Sequence, residues 1–598
     1  MYRRSGHGWQ RTRVPFDGDG AYAIGGVRIA KTALGLRLAC AWLDVRRPPG
    51  HTALGELHPR DILVGLYAKA VRCAFWSEYL STAEQNASAP TASHETTTRA
   101  GRGVLSITAS KLYFIVAGYA VQLSLPQLLQ SPEAFGLYAS AMGVVSILNN
   151  VIIAATIQTV SRQISAAADD EGQPLLRKAL MLQSVIGGGL SAALGVGAPW
   201  ISRDLLLDPL LTPLLQITAV VVLCYAVYAT MVGFLNGRHR FQHQAALDLT
   251  YTTLRSLGIL GAAALGLGAV GAVSGFALAA VLIVLFASIL VGWGKAGQIG
   301  SYRGWLSFLA PVLFYQLCLN LILQIDLTLL KRNVAVLALA AGQSQADAAE
   351  LASRFSGFYR GAQTFSFVPY QLILSVAFVV FPMVSQASAL GDRSAMQSYI
   401  RGALRFSLLV LCSIAAPVSG ASSGVLRIAY PEAYVAAADS LSILSIGMAA
   451  FALFVIAATI ITGAGRPALS AGIAFIAVLC VVTSNYGFVF AAGLQGDVMW
   501  AAACGTSTGT GIALLLAALA VQRLYGAFLP LISTARILLS ALVAFVVARA
   551  VPHETALSAL LALACGGVAY LAALLLIREL GESDLSLVFR LVQGKRRS

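Results

Sequence analysis

Apolar segments of about twenty residues recur between residues 104 and 577, and short polar connections separate them. As a helix, each segment is long enough to cross a hydrocarbon layer of about 30 Å. A helix also satisfies its own backbone hydrogen bonds, for which hydrocarbon offers no other partner. The pattern therefore predicts an all-α, polytopic membrane protein with about fourteen transmembrane helices. The predicted spans lie near 104–128, 134–160, 178–200, 211–235, 245–267, 269–293, 304–330, 355–382, 404–427, 436–462, 467–490, 496–520, 530–549 and 554–577.

Three short landmarks occur twice in the same order and at nearly the same spacing. Internal duplication is typical of transporters, in which two similar lobes rock about a central site. An even number of helices in each copy makes this a parallel repeat, with its pseudo-two-fold axis along the membrane normal. The paired landmarks are Phe135-Gly136-Leu137-Tyr138 with Ser356-Gly357-Phe358-Tyr359, Val160-Ser161-Arg162 with Val384-Ser385-Gln386, and Asn236-Gly237-Arg238 with Ala464-Gly465-Arg466.

The repeat predicts the domain organisation. We expect an N-terminal six-helix lobe at 101–300, a C-terminal six-helix lobe at 301–525 and two additional transmembrane helices at 526–577. A basic cytoplasmic tail is expected at 578–598.

Composition and loop charge give the class and the orientation. Of the chain, 58% is hydrophobic and only 11% is charged, which excludes a water-soluble protein, and the net charge is +15. Lys and Arg concentrate in alternate loops, which places both termini in the cytoplasm of a plasma (inner) membrane. The exception is the outer 331–354 connection, which begins Lys331-Arg332. The basic charge thus suits membrane lipids of the inner leaflet rather than nucleic acid.

The first hundred residues differ from the rest of the chain. They carry many arginines, and the Ser/Thr/Ala-rich stretch at 81–98 is typical of a linker. Residues 21–43 are apolar, but Arg28, Lys31 and Arg37 interrupt them too often for a spanning helix. We expect a poorly ordered basic cytoplasmic extension or a start site assigned too far upstream, with a membrane-surface amphipathic segment as the alternative.

Several chemistries find no support in the sequence. The eight cysteines form no CxxC pair, and the seven histidines lie in the extension or in loops. HExxH and GxxxxGK[ST] motifs do not occur. We therefore expect no catalytic residues, no metal, no cofactor and no ATP-driven pump, and the protein is predicted not to be an enzyme.

Charged side chains inside the spans are costly and are therefore functional candidates. Arg255 lies ten residues into the fifth span, about 15 Å deep at the rise of a helix. It is predicted to face a cavity that receives an anionic substrate, with a loose pair to Asp248 or a snorkelling arginine as the alternative. Lys111, shallower in the first span, is a second candidate cavity cation or a snorkelling side chain.

Asp326 lies near the outer end of the seventh span, and Arg360 lies in the entry turn of the eighth. Asp326 is within plausible reach of Lys331, Arg332 or Arg360. A pair there is predicted to be either an outer-gate latch or a structural bridge.

Uncharged polar side chains cluster on the opening helices of each half. Gln316, Asn320 and Gln324 repeat every four residues and so share one helix face. Asn149 and Asn150 lie mid-way along the second span, and Gln363 lies in its counterpart. We expect these groups to line a hydrated cavity, with ordinary interhelical hydrogen bonding as the alternative.

Five sequence pieces together resemble landmarks of the bacterial polysaccharide flippases. This family belongs to the superfamily of multidrug, oligosaccharidyl-lipid and polysaccharide exporters. The resemblance covers roughly residues 104–577. The pieces are Phe135-Gly136-Leu137-Tyr138, Gly237-Arg238-His239-Arg240-Phe241, Ile325-Asp326-Leu327, Phe381-Pro382-Met383-Val384-Ser385 and Tyr430-Pro431-Glu432-Ala433-Tyr434-Val435-Ala436-Ala437.

The resemblance implies fourteen helices and movement of an undecaprenyl-diphosphate-linked oligosaccharide to the outer leaflet, for export of cell-surface polysaccharide. Asp326 matches the acidic position of the family's seventh helix. An H+ or Na+ gradient and downstream polysaccharide assembly proteins are both open as the source of energy. The alternative is an ion-coupled multidrug efflux antiporter, which the absence of a deep acidic group in the first lobe disfavours. A membrane-embedded glycan polymerase or ligase is a third reading, disfavoured by the repeat and by the short loops.

Overall fold

The computed structural model describes residues 2–5, 8–11, 94–168, 171–297 and 301–580, with the backbone alone at 2–5, 8–11, 94–108, 375, 378 and 379. The predicted basic extension therefore lies mostly outside the described residues, as does the predicted tail beyond residue 580. Within the unit Met1–Val64, two strands, β1 (Tyr2–Ser5) and β2 (Gly8–Arg11), form an antiparallel hairpin.

Helices make up nearly all the described part of the second unit, Gly65–Ser598. Two short turns add to them: a π-helical turn at Ile201–Leu205 and a 3₁₀ turn at Glu432–Ala437. The helices are α1 (His94–Leu129), α2 (Pro132–Ser165), α3 (Gly172–Trp200), α4 (Leu211–Gly237), α5 (Phe241–Ala264), α6 (Gly268–Val291), α7 (Arg303–Ala340), α8 (Gln345–Ser366), α9 (Val368–Leu390), α10 (Arg393–Gly420), α11 (Ser422–Ala429), α12 (Ala438–Gly463), α13 (Pro467–Ala492), α14 (Val498–Tyr525), α15 (Leu531–Ala550) and α16 (Ala556–Leu576).

Twelve of the described helices are long and apolar enough to cross a membrane, which confirms the predicted all-α polytopic class. Helix α5, at the predicted fifth span, is not among the twelve because polar residues such as Asp248 and Arg255 interrupt its apolar stretch. The other helices outside the twelve are α8, α9 and α11.

The predicted eighth span is two helices rather than one. Helix α8 ends at Ser366 and α9 begins at Val368, with Phe367 between them. Pro369 follows in the first turn of α9, where a missing backbone N–H costs no helical hydrogen bond. Proline also disfavours the helical conformation of the residue before it, so it favours a new start at this point. The predicted ninth span is divided likewise, since α10 ends at Gly420 and α11 follows.

The glycine-rich connection between α5 and α6 is a tight turn. Gly266 and Gly268 have φ of +75° and +62°, a region that favours glycine. Beyond the turn, the backbones of Gly258 on α5 and Gly275 on α6 are in direct contact. A side chain at either position would collide with the opposite backbone, so these glycines allow the two helices to pack closely.

The two halves of the bundle meet along α2, α7 and α8. In the first half, α4 packs against α2, α3 and α6, while α5 packs against α1 and α6. In the second half, α12, α13 and α14 pack together, and α10 packs against α12 and α15. We call the end of the bundle at which α2 begins the outer end, and the end at which α10 begins the inner end, following the orientation predicted from loop charge.

Candidate functional site

Arg255 projects from α5 between two aromatic rings. Its guanidinium carbon lies 5.6 Å from the ring centroid of Phe114 on α1 and 5.6 Å from that of Phe276 on α6. Its Nε is buried and has no hydrogen-bond partner, and the side chain also contacts the Tyr251 hydroxyl. The arginine is therefore held by aromatic faces and a tyrosine, not by a carboxylate.

Asp248 pairs with Lys111 and not with Arg255. Lys111 Nζ lies 2.9 Å from Asp248 Oδ2, and the Tyr228 hydroxyl donates to Oδ1 at 3.3 Å. The loose Arg255–Asp248 pair, which the sequence left open as an alternative, is therefore not formed in the structure. The pairing neutralises Lys111 and Asp248 and leaves the charge of Arg255 uncompensated by either.

A second arginine approaches the same region from the other half of the chain. Tyr138, buried on α2, lies within electrostatic reach of both Arg255 and Arg360. Arg360 Nη1 donates to Gln363 Oε1 at 3.2 Å and to Gln324 Oε1 at 3.4 Å. Both are long for hydrogen bonds, and both acceptors are neutral amides. Both arginines thus act electrostatically on one buried tyrosine, and neither forms an ion pair within the described part of the chain.

Asp326 is buried and accepts four hydrogen bonds. The donors are the Tyr359 hydroxyl at 2.9 Å, Gln363 Nε2 at 2.9 Å, the Thr506 hydroxyl at 3.1 Å and the backbone N–H of Leu327 at 2.8 Å. These bonds link α7 to α8 and α14. All four donors are neutral, and together they satisfy the carboxylate. Of Lys331, Arg332 and Arg360, which the sequence places within reach of Asp326, Arg360 is the one that interacts with it electrostatically.

The uncharged candidates form part of the same region. Asn150 Nδ2 donates to Asn320 Oδ1 at 3.0 Å, which joins α2 to α7, and Asn320 Nδ2 donates to the Gln316 carbonyl at 2.9 Å. Asn149 is buried, and its side-chain oxygen has no partner. Two hydrogen-bonded groups at the junction of α2, α7 and α8 are together called the polar seam; they are Asn150 with Asn320, and Gln324, Arg360, Gln363 with Asp326.

Lys331 and Arg332 do not pair with Asp326 but bind other groups. Lys331 Nζ lies 2.7 Å from Asp208 Oδ2 and 2.7 Å from the Ser353 hydroxyl, which itself donates to Asp208 Oδ2 at 3.1 Å. Arg332 donates to the Leu205 carbonyl at 2.8 Å. Sequence reasoning missed Asp208 because it lies in a predicted loop, and no motif marks it as buried.

The outer end holds further contacts between the two halves. The backbones of Gly136 on α2 and Ser353 and Gly357 on α8 touch, and Glu133 pairs with Arg354 nearby. Both glycines belong to the repeated landmarks that the sequence singles out. Because a glycine occurs at the equivalent point of each copy, the two helices can meet backbone to backbone.

The comparisons with known proteins agree with this architecture. Residues 100–388 match the family model described as polysaccharide biosynthesis protein. No curated protein matches the chain in sequence.

Solved structures share the fold at low sequence identity. The lipid II flippase MurJ in its inward closed conformation is 16% identical, with a TM-score of 0.64 over 79% of this chain and 99% of that chain. An inward-facing multidrug resistance MATE family transporter is 14% identical, with a TM-score of 0.56 over 68% and 94%. A MOP superfamily transporter from Pyrococcus furiosus is 13% identical, with a TM-score of 0.52 over 71% and 96%. The resemblance drawn from the sequence is thus confirmed: residues 100–388 match the polysaccharide biosynthesis protein family, and the chain has the fold of the MOP superfamily transporters.

Proposed function

We propose that the protein is a flippase that moves a lipid-linked oligosaccharide across the inner membrane by alternating access, for export of cell-surface polysaccharide. The lipid carrier is undecaprenyl diphosphate, and both termini are cytoplasmic. The lobes 101–300 and 301–525 rock against each other, and the two helices of 526–577 flank the second lobe.

The observation that carries this proposal is that Arg255 and Arg360 both interact electrostatically with the buried Tyr138, while their contacts among the described residues are aromatic rings, a tyrosine and neutral amides. Neither guanidinium donates a hydrogen bond to a carboxylate among the described residues, so each keeps N–H donors for a phosphate oxygen. The planar guanidinium fork is well matched to a phosphate. One arginine comes from each half of the chain. A diphosphate bound between them would therefore contact both lobes at once.

The polar seam offers hydrogen-bond partners for the sugar part of the substrate. Its amides on α7 and α8 lie beside Arg360, so hydroxyl-bearing groups next to a bound diphosphate would meet hydrogen-bond partners there. Asn149, with its buried unpaired oxygen on α2, adds an acceptor. Asn320 on α7, which donates to the Gln316 backbone carbonyl and accepts from Asn150 on α2, adds further polar groups at the junction of the two halves.

The outer-end contacts support a state that is closed to the outside. Lys331, Asp208 and Ser353 join the halves there, as do Gly136 and Gly357. In a rocking mechanism these contacts must break when the substrate is released outward. They then form the outer gate, and Asp326 holds α7, α8 and α14 together beside it.

An ion-coupled multidrug efflux antiporter is the second candidate, since one of the solved structures named above is a multidrug resistance MATE family transporter. It would require a carboxylate free to exchange a coupling ion. The buried acidic group of α5, Asp248, is already paired with Lys111, and Asp326 accepts four hydrogen bonds. The charge balance around Arg255 and Arg360 favours an anionic substrate instead.

The test is export of glycan by cells that carry Arg255→Gln or Arg360→Gln as their only copy. We expect lipid-linked oligosaccharide to accumulate in the inner leaflet while the variant protein remains folded in the membrane. Arg549→Gln, which changes an exposed arginine on α15, is the matched control and should export normally. Normal export by both cavity variants would overturn the proposal, and protein-dependent efflux of a cationic dye would favour the antiporter.

A further inference from the structure

A cavity of about 430 Å³ opens at the inner end of the bundle, remote from the polar seam. Its walls are the first three turns of α10 and the residue that precedes α15. The lining residues are Ser394, Gln397, Ser398, Arg401, Gly402, Arg405 and Pro530.

The two arginines of this cavity differ in their partners. Arg405 Nε donates to Glu579 Oε1 at 2.8 Å and its Nη2 donates to the Glu579 carbonyl at 2.7 Å, so its charge is compensated. Arg401 is exposed and has no ion-pair or hydrogen-bond partner among the described residues. The cavity therefore presents one uncompensated guanidinium next to the hydroxyls of Ser394 and Ser398.

The wall of the cavity is fixed rather than loose. Gln397 Nε2 donates to the Tyr525 carbonyl at 2.8 Å, which ties α10 to the end of α14. Asp392 accepts from the Ser394 hydroxyl at 2.8 Å and caps the start of α10. A ligand that binds here meets a preformed surface, which lowers the ordering cost of binding.

An apolar surface begins where the polar cavity ends. Leu531 and Ile532, directly after Pro530, are 86% and 71% exposed. Further along α15, Leu538, Leu539 and Leu542 are exposed as well. A basic, hydroxyl-rich cavity at the membrane surface, continued by an apolar helix face, matches a molecule with an anionic head and hydrocarbon chains.

We propose that this cavity binds the headgroup of an anionic phospholipid of the inner leaflet. Arg401 receives the phosphate, Ser398 and Gln397 lie beside the polar headgroup, and the acyl chains lie along α15. The site is separate from the transported substrate, and its placement in the inner leaflet rests on the orientation given with the proposed function.

The test is thermal unfolding of the purified full chain in detergent, with increasing phosphatidylglycerol or phosphatidylcholine. A ligand that binds the folded state raises the melting temperature in a saturable way. We expect phosphatidylglycerol to do so more than phosphatidylcholine. In Arg401→Gln, the phosphatidylglycerol concentration for half-maximal stabilisation should rise about fivefold, the contribution of one basic residue to binding an anionic lipid surface. Arg401→Lys should lie between the two.

The matched control is Arg523→Gln, which removes an exposed arginine from the inner end of α14. It should respond to phosphatidylglycerol as the unchanged chain does. Equal stabilisation of Arg401→Gln and the unchanged chain would overturn the proposal, and so would an equal loss in Arg523→Gln. Undecaprenyl diphosphate is the second probe. If it alone gave stabilisation that depends on Arg401, the cavity would belong to the transported lipid and the phospholipid assignment would be wrong.

Discussion

Lys331 and Asp208 form an ion pair whose atoms lie 2.7 Å apart and whose side chains are 0% and 1% exposed. The pair joins α7 of the second half to the segment that precedes α4 of the first. Ser353 on α8 donates to the same carboxylate oxygen. Two charges without water are stable only while both are present, since the loss of one leaves the other buried and uncompensated.

Replacement of Asp208 by Asn should therefore destabilise the protein strongly. We expect a loss of about 3–5 kcal/mol, the usual cost of removing one partner of a buried pair. Thermal unfolding in detergent measures it. Glu133→Gln is the control because it breaks the Glu133–Arg354 pair, which also joins the two halves but is 22% and 47% exposed. That variant should lose less than about 1 kcal/mol. Similar losses in the two variants would show that burial of the Lys331 pair is not decisive.

Gly136→Ala should separate α2 from α8 at the outer end. The added methyl group would overlap the Ser353 carbonyl, a backbone atom that cannot turn aside. We expect faster hydrogen–deuterium exchange in residues 353–357 and a lower melting temperature. Gly143→Ala is the matched control on the same helix, because its methyl group would lie an ordinary 3.6 Å from Leu327. Unchanged exchange in Gly136→Ala would contradict the close contact.

Asp326→Asn should weaken the junction of α7, α8 and α14. The amide keeps one acceptor oxygen, but its NH₂ group replaces the other, so it faces either the Tyr359 and Thr506 hydroxyls or Gln363 Nε2 and the Leu327 N–H, and buried donors then face each other. We expect a loss of about 1–3 kcal/mol in thermal unfolding, the range for an unsatisfied buried group. Thr506→Val removes one donor and leaves three, so it should cost less. The reverse order of the two losses would mean that Asp326 is held by α14 alone.

The spans could be predicted from the sequence because length and apolar composition are local properties. Pro369 marks the break between α8 and α9 in the sequence, but the prediction placed a single span, 355–382, across it. Arg255 and Asp248 lie two turns apart on one helix, which suggests a pair by proximity along the chain. In the structure Asp248 instead forms an ion pair with Lys111 of α1. The identity of its partner depends on how α1 packs against α5.

The buried pair of Asp208 and Lys331 could not be predicted from the sequence. The two residues are 123 positions apart, and each lies where a loop-charge count assigns it to solvent. Only the approach of α7 to the start of α4 removes water from both. In the same way Arg255 and Arg360 both act electrostatically on Tyr138 because of how the two halves pack, and no spacing along the chain predicts it.

Asp392→Ala should lower the melting temperature by removing the cap of α10. The Asp392 carboxylate accepts the backbone N–H groups of Ala395 and Ser394, each at 3.0 Å, and these bonds hold its pKa below the ordinary 3.8. A lowered folded-state pKa means that the stabilisation is complete above the ordinary pKa and is lost as the pH falls through the lowered one. The difference between the unchanged chain and Asp392→Ala should therefore shrink at strongly acidic pH. Asp392→Asn, which also caps helices well, should keep stability near neutral pH. A difference that does not change with pH would assign the effect to something other than the ionised cap.

Glu579→Gln should loosen the last two helices from the second half of the bundle. The buried Glu579 carboxylate accepts from Arg405 on α10 at 2.8 Å, is hydrogen-bonded by Ser533 on α15, and lies 3.7 Å from Arg536. It thus holds the end of α16 to two other helices through charge-assisted bonds, each worth about 1.5–3 kcal/mol. The neutral amide keeps the shape but not the charge, so we expect a lower melting temperature and faster hydrogen–deuterium exchange at the start of α15. Glu554→Gln, at the opposite end of the same helix pair, should change neither measurement. Faster exchange in α10 alone, with α15 unaffected, would show that Glu579 serves Arg405 and does not anchor the helix pair.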